Sequence, residues 1–230
     1  ERDAAPLDRA AALSAWDYFA NPFPPRLDMP FPPYQSLTRL TTRDAWRFAN
    51  GEIDAGLAGA CTGVTQGRKM IEAGDSLIGS MIGAALVRGN ASLFADMLAE
   101  LPRDHALPPQ CEAAFTLPIS LENGICRTML SEARFVVGGI RTQITAEVVN
   151  DLADNKMPAW ISRLLFDPER TVARMAPKFA WFCGEQAHAL LAHDRPLVDR
   201  TPPPTRWSMQ CASNAVGCIL ADIAQPAYMD

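Results

Sequence analysis

Apolar residues recur at intervals of three and four along most of this chain, and no run of alternating β-branched residues reads as a strand. The pattern predicts an all-α fold. A first helix over residues 7–20 puts Leu13, Trp16 and Phe19 on one face. Residues 21–36, NPFPPRLDMPFPPYQS, hold six prolines and two copies of Phe-Pro-Pro, a density that forbids helix and favours an extended loop. Thr42 is placed to cap a second helical region reaching residue 72, with breaks expected at Gly51 and Gly63. Asp75 is expected to cap the next helix, to residue 88. Gly89 then ends it, and Asn90 caps another that stops before Pro102.

Beyond a loop and a short helix after Cys111, the pattern predicts a long helix over residues 122–149. Asp167-Pro168 is a strong helix start, a capping side chain followed by proline at the first helical position. That helix is expected to reach His193, bent at Pro177. Residues 195–206 read as a linker, and the last helix covers 208–224. A chain of 230 residues suits one large domain or two small ones, and we read residues 1–230 as a single domain of about eight or nine helices.

Charge narrows the partners. The net charge is −5 and only three of the basic residues are lysines, so no basic face for a phosphate backbone is expected and nucleic acid is a poor partner. The longest apolar stretch, SLIGSMIGAALV, stops at Arg88, short of the ~20 residues needed to cross a bilayer, so no transmembrane segment is expected. Gly79 and Gly83 within it suit a helix in close contact with a neighbour. The chain opens at Glu1 without Met or a basic-then-apolar leader, as expected of a chain whose leader has been removed or trimmed.

The six cysteines, Cys61, Cys111, Cys126, Cys183, Cys211 and Cys218, show no C-x₂-C spacing, and only three histidines accompany them. Disulfides formed in an oxidising, periplasmic or secreted setting are the expected use, with no metal and no cofactor. Cys111 and Cys126 bracket a loop and are the best local candidates for each other. Seven residues of helix would hold Cys211 and Cys218 ~10.5 Å apart, beyond the ~7 Å a disulfide spans between Cα atoms, so each is expected to pair elsewhere.

Gly74-Asp75-Ser76-Leu77 matches the nucleophile string of a large esterase and lipase family, in which the serine follows a buried strand. Here the preceding TQGRKMIEA reads as helix. No glycine is followed by Asn three residues on, which removes that family's oxyanion block, and no Asp-x-x-His occurs. A hydrolase using Ser76 is therefore the alternative reading, and an enzyme is not the leading one. Glu185 and His188 stand at i, i+3 on one helix, but a di-iron bundle needs two such pairs.

The segments SLIGSMIGAALV, LFADMLAELP, PPQCEAAF and RWSMQCASNAVG, taken in order over residues ~40–230, resemble exported, cysteine-containing helical proteins of Gram-negative bacteria. The resemblance implies fold and compartment and carries no catalytic residue. Some exported bacterial proteins of this size act as immunity proteins against secreted antibacterial effectors. The expectation is a non-enzymatic periplasmic binding protein, an inhibitor or immunity protein whose partner is another protein. A structural subunit of an envelope assembly is a further alternative. Phe23, Phe31 and Tyr34, held at fixed spacing by prolines, are the candidate contact residues, set against a purely structural strap.

Overall fold

The computed structural model describes residues 4–16, 19–116, 120–156, 158–199 and 208–223, and among these every regular element is helical. The all-α fold expected from the pattern is the fold found. By their contacts the residues form two compact units. One comprises the chain up to Pro22 and residues 31–128, the other residues 23–30 and 129 onward.

In the first unit, α1 (Ala4–Ala12) is followed by a 3₁₀ turn, then α2 (Gln35–Ala49), α3 (Ile53–Ala73), α4 (Leu77–Ala99) and α5 (Pro109–Thr116). Helix α3 is the spine, and small residues let its neighbours come close. Gly56, Gly59, Gly63 and Gly67 recur at three and four residues, one stripe down the helix. Gly59 lies against the Asp44 carboxylate of α2, and Gly63 against the Asn90 amide of α4. Gly67 meets Gly83 of α4 backbone to backbone. A Cβ at Gly67 would stand 2.5 Å from the Gly83 carbonyl oxygen, and one at Gly83 would stand 2.7 Å from that of Gly67. Leu57, Ala60, Cys61, Val64, Phe94, Met97, Cys111 and Ala114 fill the core beside this crossing. Gly74, at φ +57°, closes α3 in the left-handed conformation that glycine adopts without a Cβ penalty.

Two long side chains of α3 tie down the N-terminal segment. Gln66 Nε2 donates to the Ala10 carbonyl at 3.1 Å, and Lys69 Nζ donates to those of Ser14 and Trp16 at 3.2 Å each. These bonds satisfy carbonyls that the end of a helix leaves orphaned.

Several boundaries differ from the pattern's. Helix α2 begins at Gln35, so Thr42 is interior and caps nothing. Gly51, at φ +87°, does break the chain, whereas Gly63 does not. The cap of α4 is Ser76, whose Oγ accepts from the Gly79 N–H at 3.0 Å, and not Asp75. Helix α4 also runs through Gly89 and Asn90, because Asn90 turns inward against Gly63 and donates within the helix to the Leu86 carbonyl at 2.9 Å. Among the described residues α4 is the one helix long and apolar enough to be a candidate membrane span. Gly79, Gly83, Leu86, Asn90, Phe94 and Met97 are its buried residues, while Leu77, Ile78 and Met81 are exposed.

The division between the units falls within α6 (Leu121–Gly139). A π-turn at Ile140–Ile144 continues α6 into α7 (Thr145–Asp154), so the long helix expected over 122–149 carries a bulge. The second unit adds α8 (Ala159–Leu165), α9 (Pro168–Trp181), α10 (Glu185–Ala192), α11 (Met209–Ala212) and α12 (Ala215–Ile223). Asp167 caps α9 as expected, accepting from the N–H groups of Glu169 and Arg170. The helix stops at Trp181, however, and α10 starts afresh at Glu185 after a turn through Gly184. Ile140, Phe166, Met175 and Ala221 form the core here.

The last helix is broken, and a buried amide accounts for the break. Asn214 Oδ1 accepts from the Asp167 N–H at 2.8 Å, and its Nδ2 donates to Thr171 Oγ1 at 3.1 Å. Committing Asn214 to α9 ends α11 at Ala212, with Ser213 at φ −113°. The turn brings Cys211 and Cys218 to 5.6 Å between Cα atoms, and they are disulfide-bonded to each other. The expectation that they pair elsewhere assumed one straight helix and is corrected. Cys111 is likewise bonded to Cys61, not Cys126, with Cα atoms 4.9 Å apart, because α5 folds back onto α3. Cys126 and Cys183 are also disulfide-bonded, and no cysteine is free.

Candidate functional site

Two places hold the residues that the sequence singles out. The first is the proline-rich stretch, where residues 19–33 form no regular element. Within the second unit, residues 23–30 are held to the π-turn region chiefly by backbone. The Leu27 N–H donates to Gln143 Oε1 at 2.9 Å, the Leu27 side chain covers Gly139, and the Pro25 carbonyl lies where a Cβ on Gly138 would stand. Arg26 and Asp28 close a small ion pair at 2.9 Å beside it, and this hydrogen bond holds the Asp28 carboxyl below its ordinary range. Glycine at 138 and 139 is what lets the chain approach so closely. Phe23 is 52% exposed.

Phe31 and Tyr34 belong to the first unit. Phe31 is 39% exposed, whereas Tyr34 is half-buried, and its hydroxyl lies with Ser76 Oγ beside Gly79 at the start of α4. The three aromatic residues do not share one role. Phe23 and Phe31 are partly exposed, and Tyr34 packs among Ala10, Leu37, Leu40, Met70 and Leu86.

The second place is the surroundings of Ser76, a cavity of about 380 Å³ wholly within the first unit. Pro6, Ala10 and Leu13 of the N-terminal segment, Phe19, Pro32 and Pro33 of the irregular segment, Leu37 of α2 and Met70 of α3 make most of its wall apolar. Asp75, Tyr34, Asn21, Ser36 and Arg9 add polar atoms. Asp75 Oδ1 accepts from the Asn21 N–H at 2.9 Å, which pins the irregular segment to the start of α4. Burial, and then the negative charge of Asp75, push the Tyr34 phenol above its ordinary range, against a smaller opposite effect of the Ser76 hydroxyl. The phenol therefore stays protonated at neutral pH.

As a nucleophile, Ser76 is poorly served. It is buried, it follows the left-handed end of a helix and not a strand, and its Oγ is engaged by the Gly79 N–H. His105 stands with Asp54 at 3.3 Å. Asp54 is at the opposite end of α3, whose 21 residues span roughly 30 Å, so His105 cannot serve Ser76 as a base. Glu185 on α10 is exposed and His188 half-buried, and no group of three metal-ligating side chains occurs among the described residues.

Sequence reasoning missed Asp75 as a cavity wall and missed the cavity itself. No sequence signal marks it, because its lining comes from α1, the irregular segment, α2, α3 and α4, each contributing one to a few residues. Comparison with protein-family models, with curated proteins and with solved structures finds no match to this chain.

Proposed function

We propose that this chain is a non-enzymatic binding protein of the periplasm or the secreted space, an inhibitor or immunity protein whose partner is a secreted antibacterial effector. The observation that carries the reading is the exposure of Phe23 in the second unit, where Leu27 fixes the backbone to Gln143, and separately that of Phe31 in the first. An aromatic side chain presented by an ordered backbone loses little entropy on binding, and a few such anchors carry most of an interface's affinity. The bonded state of all six cysteines is what an oxidising compartment produces.

The test begins with the protein that copurifies from the native cell envelope, which is then purified and titrated against the wild type and two variants. Phe23→Ala and Phe31→Ala are each expected to weaken binding by about 2 kcal/mol or more with melting temperatures nearly unchanged. Full affinity in both variants would refute the contact assignment. Melting temperatures lowered in step with the affinity would assign the rings to a structural strap.

A further inference from the structure

We infer that the cavity of the first unit binds a small organic cation with an apolar body, an alkyl- or arylammonium, with the ammonium on Asp75. The inference is independent of the reading of Phe23 and Phe31 as partner contacts and goes beyond it. The volume, about 380 Å³, falls in the range of small-molecule sites. The apolar wall, from Ala10, Leu13, Phe19, Pro32, Pro33, Leu37 and Met70, would take the body of such a molecule and exclude water from it.

The head group follows from the polar atoms that remain. Among the described residues Asp75 accepts one hydrogen bond, from the Asn21 N–H to Oδ1. That leaves carboxylate acceptor capacity facing an apolar cavity, where a charge short of partners is costly and a charge-assisted hydrogen bond is strong. Tyr34 cannot supply the missing positive charge, since a phenol is neutral when protonated and anionic otherwise. Among the described residues Arg9 is the cationic residue of the lining, and its side chain is exposed. A ligand ammonium satisfies Asp75 directly. An anionic head would meet the same carboxylate with like charge and could be held only through Arg9.

The test titrates the full-length, oxidised protein with hexylammonium, with 1-hexanol and with hexanoate, read by calorimetry and by amide chemical-shift mapping. Hexylammonium is expected to bind saturably, with shifts centred on Ala10, Leu13, Asn21, Tyr34, Leu37 and Gly79. Hexanol is expected to bind about tenfold more weakly, and hexanoate more weakly still. Asp75→Asn keeps an oxygen for the Asn21 N–H and removes the charge, so it should bring hexylammonium down to the level of hexanol while the wild-type melt is retained. Arg9→Gln should leave hexylammonium binding intact and confirms the assignment if it does. No saturable binding by hexylammonium, preference for hexanoate, an unchanged affinity in Asp75→Asn, or shifts confined to another part of the chain would each overturn it.

Discussion

Asp44 shows how much one side chain can be made to carry. It is 2% exposed on α2, with its carboxylate pressed against the backbone of Gly59, and its nearest charges are Arg43 at 3.1 Å and Arg47 at 3.6 Å. Burial raises its pKa above the ordinary 3.8, and the two arginines only partly oppose that. The folded protein therefore keeps this proton to higher pH than the unfolded chain does. Stability from this group is fully present below the ordinary pKa and declines as pH rises through the window up to the raised value. Asp44→Asn lacks the decline. Denaturant melts of both proteins from acid to neutral pH should show the stability of the variant, relative to wild type, increasing through that window and constant above it. Parallel curves would show that Asp44 titrates as in water.

Ser76 gives a simpler expectation at the same scale. Its Oγ satisfies one of the orphan N–H groups at the start of α4, so Ser76→Ala should cost about 1 kcal/mol of stability. Fluorophosphonate probes and short nitrophenyl esters should detect no activity in either protein. Stoichiometric labelling at Ser76 would reinstate the hydrolase reading.

Among the elements, the crossing of α3 and α4 is set by what is missing from it. At Gly67 and Gly83 each helix fills the space where the other's Cβ would be. Gly67→Ala must displace backbone, since the nearest atom is the Gly83 carbonyl oxygen at 2.5 Å. The gain in helix propensity, up to about 1 kcal/mol, does not cover the cost of forcing apart two packed helices, about 1–3 kcal/mol or more. Gly89→Ala is the control, since nothing lies within 4 Å of its added Cβ and it should be neutral or stabilising. Equal melting temperatures for the two variants would mean that the crossing can relax. The sequence showed the glycine spacing in α4 and its meaning, a close neighbour. Which helix that neighbour was, and that α3 carried the matching stripe, needed the fold.

Over the whole molecule the disulfides join segments far apart in the chain as well as close neighbours. Cys61 and Cys111 are separated by 50 residues and Cys211 and Cys218 by seven. By loop-closure entropy the longer link restricts the unfolded chain more, by about 4 kcal/mol against about 2. Replacing both cysteines of each pair by alanine should therefore lower stability in that order, measured by denaturant unfolding under oxidising conditions. Peptide mapping of the oxidised protein should recover a Cys61–Cys111 and a Cys211–Cys218 cross-link. Recovery of a Cys111–Cys126 peptide would contradict the packing of α5 on α3.

The helical class, the proline-rich interruption and the start of α9 at Asp167-Pro168 were determined locally. Each depends on side-chain periodicity, on a ring that fixes φ, or on a cap within three residues, and such signals are complete in a short window of sequence. So was the use of cysteine in disulfides, which follows from count and spacing. Pairing was another matter. Whether Asn90 caps a helix or lies inside one turns on Gly63, 27 positions away, offering a space for its amide. Whether Cys211 reaches Cys218 turns on Asn214 being claimed by Asp167 and Thr171 on another helix. Phe23, Phe31 and Tyr34 read alike in sequence, and only the packing of Tyr34 against Ser76 and the apolar residues around it separated them. The cavity beside Asp75 was decided by tertiary structure alone, because a space enclosed by five segments has no local signature in any of them.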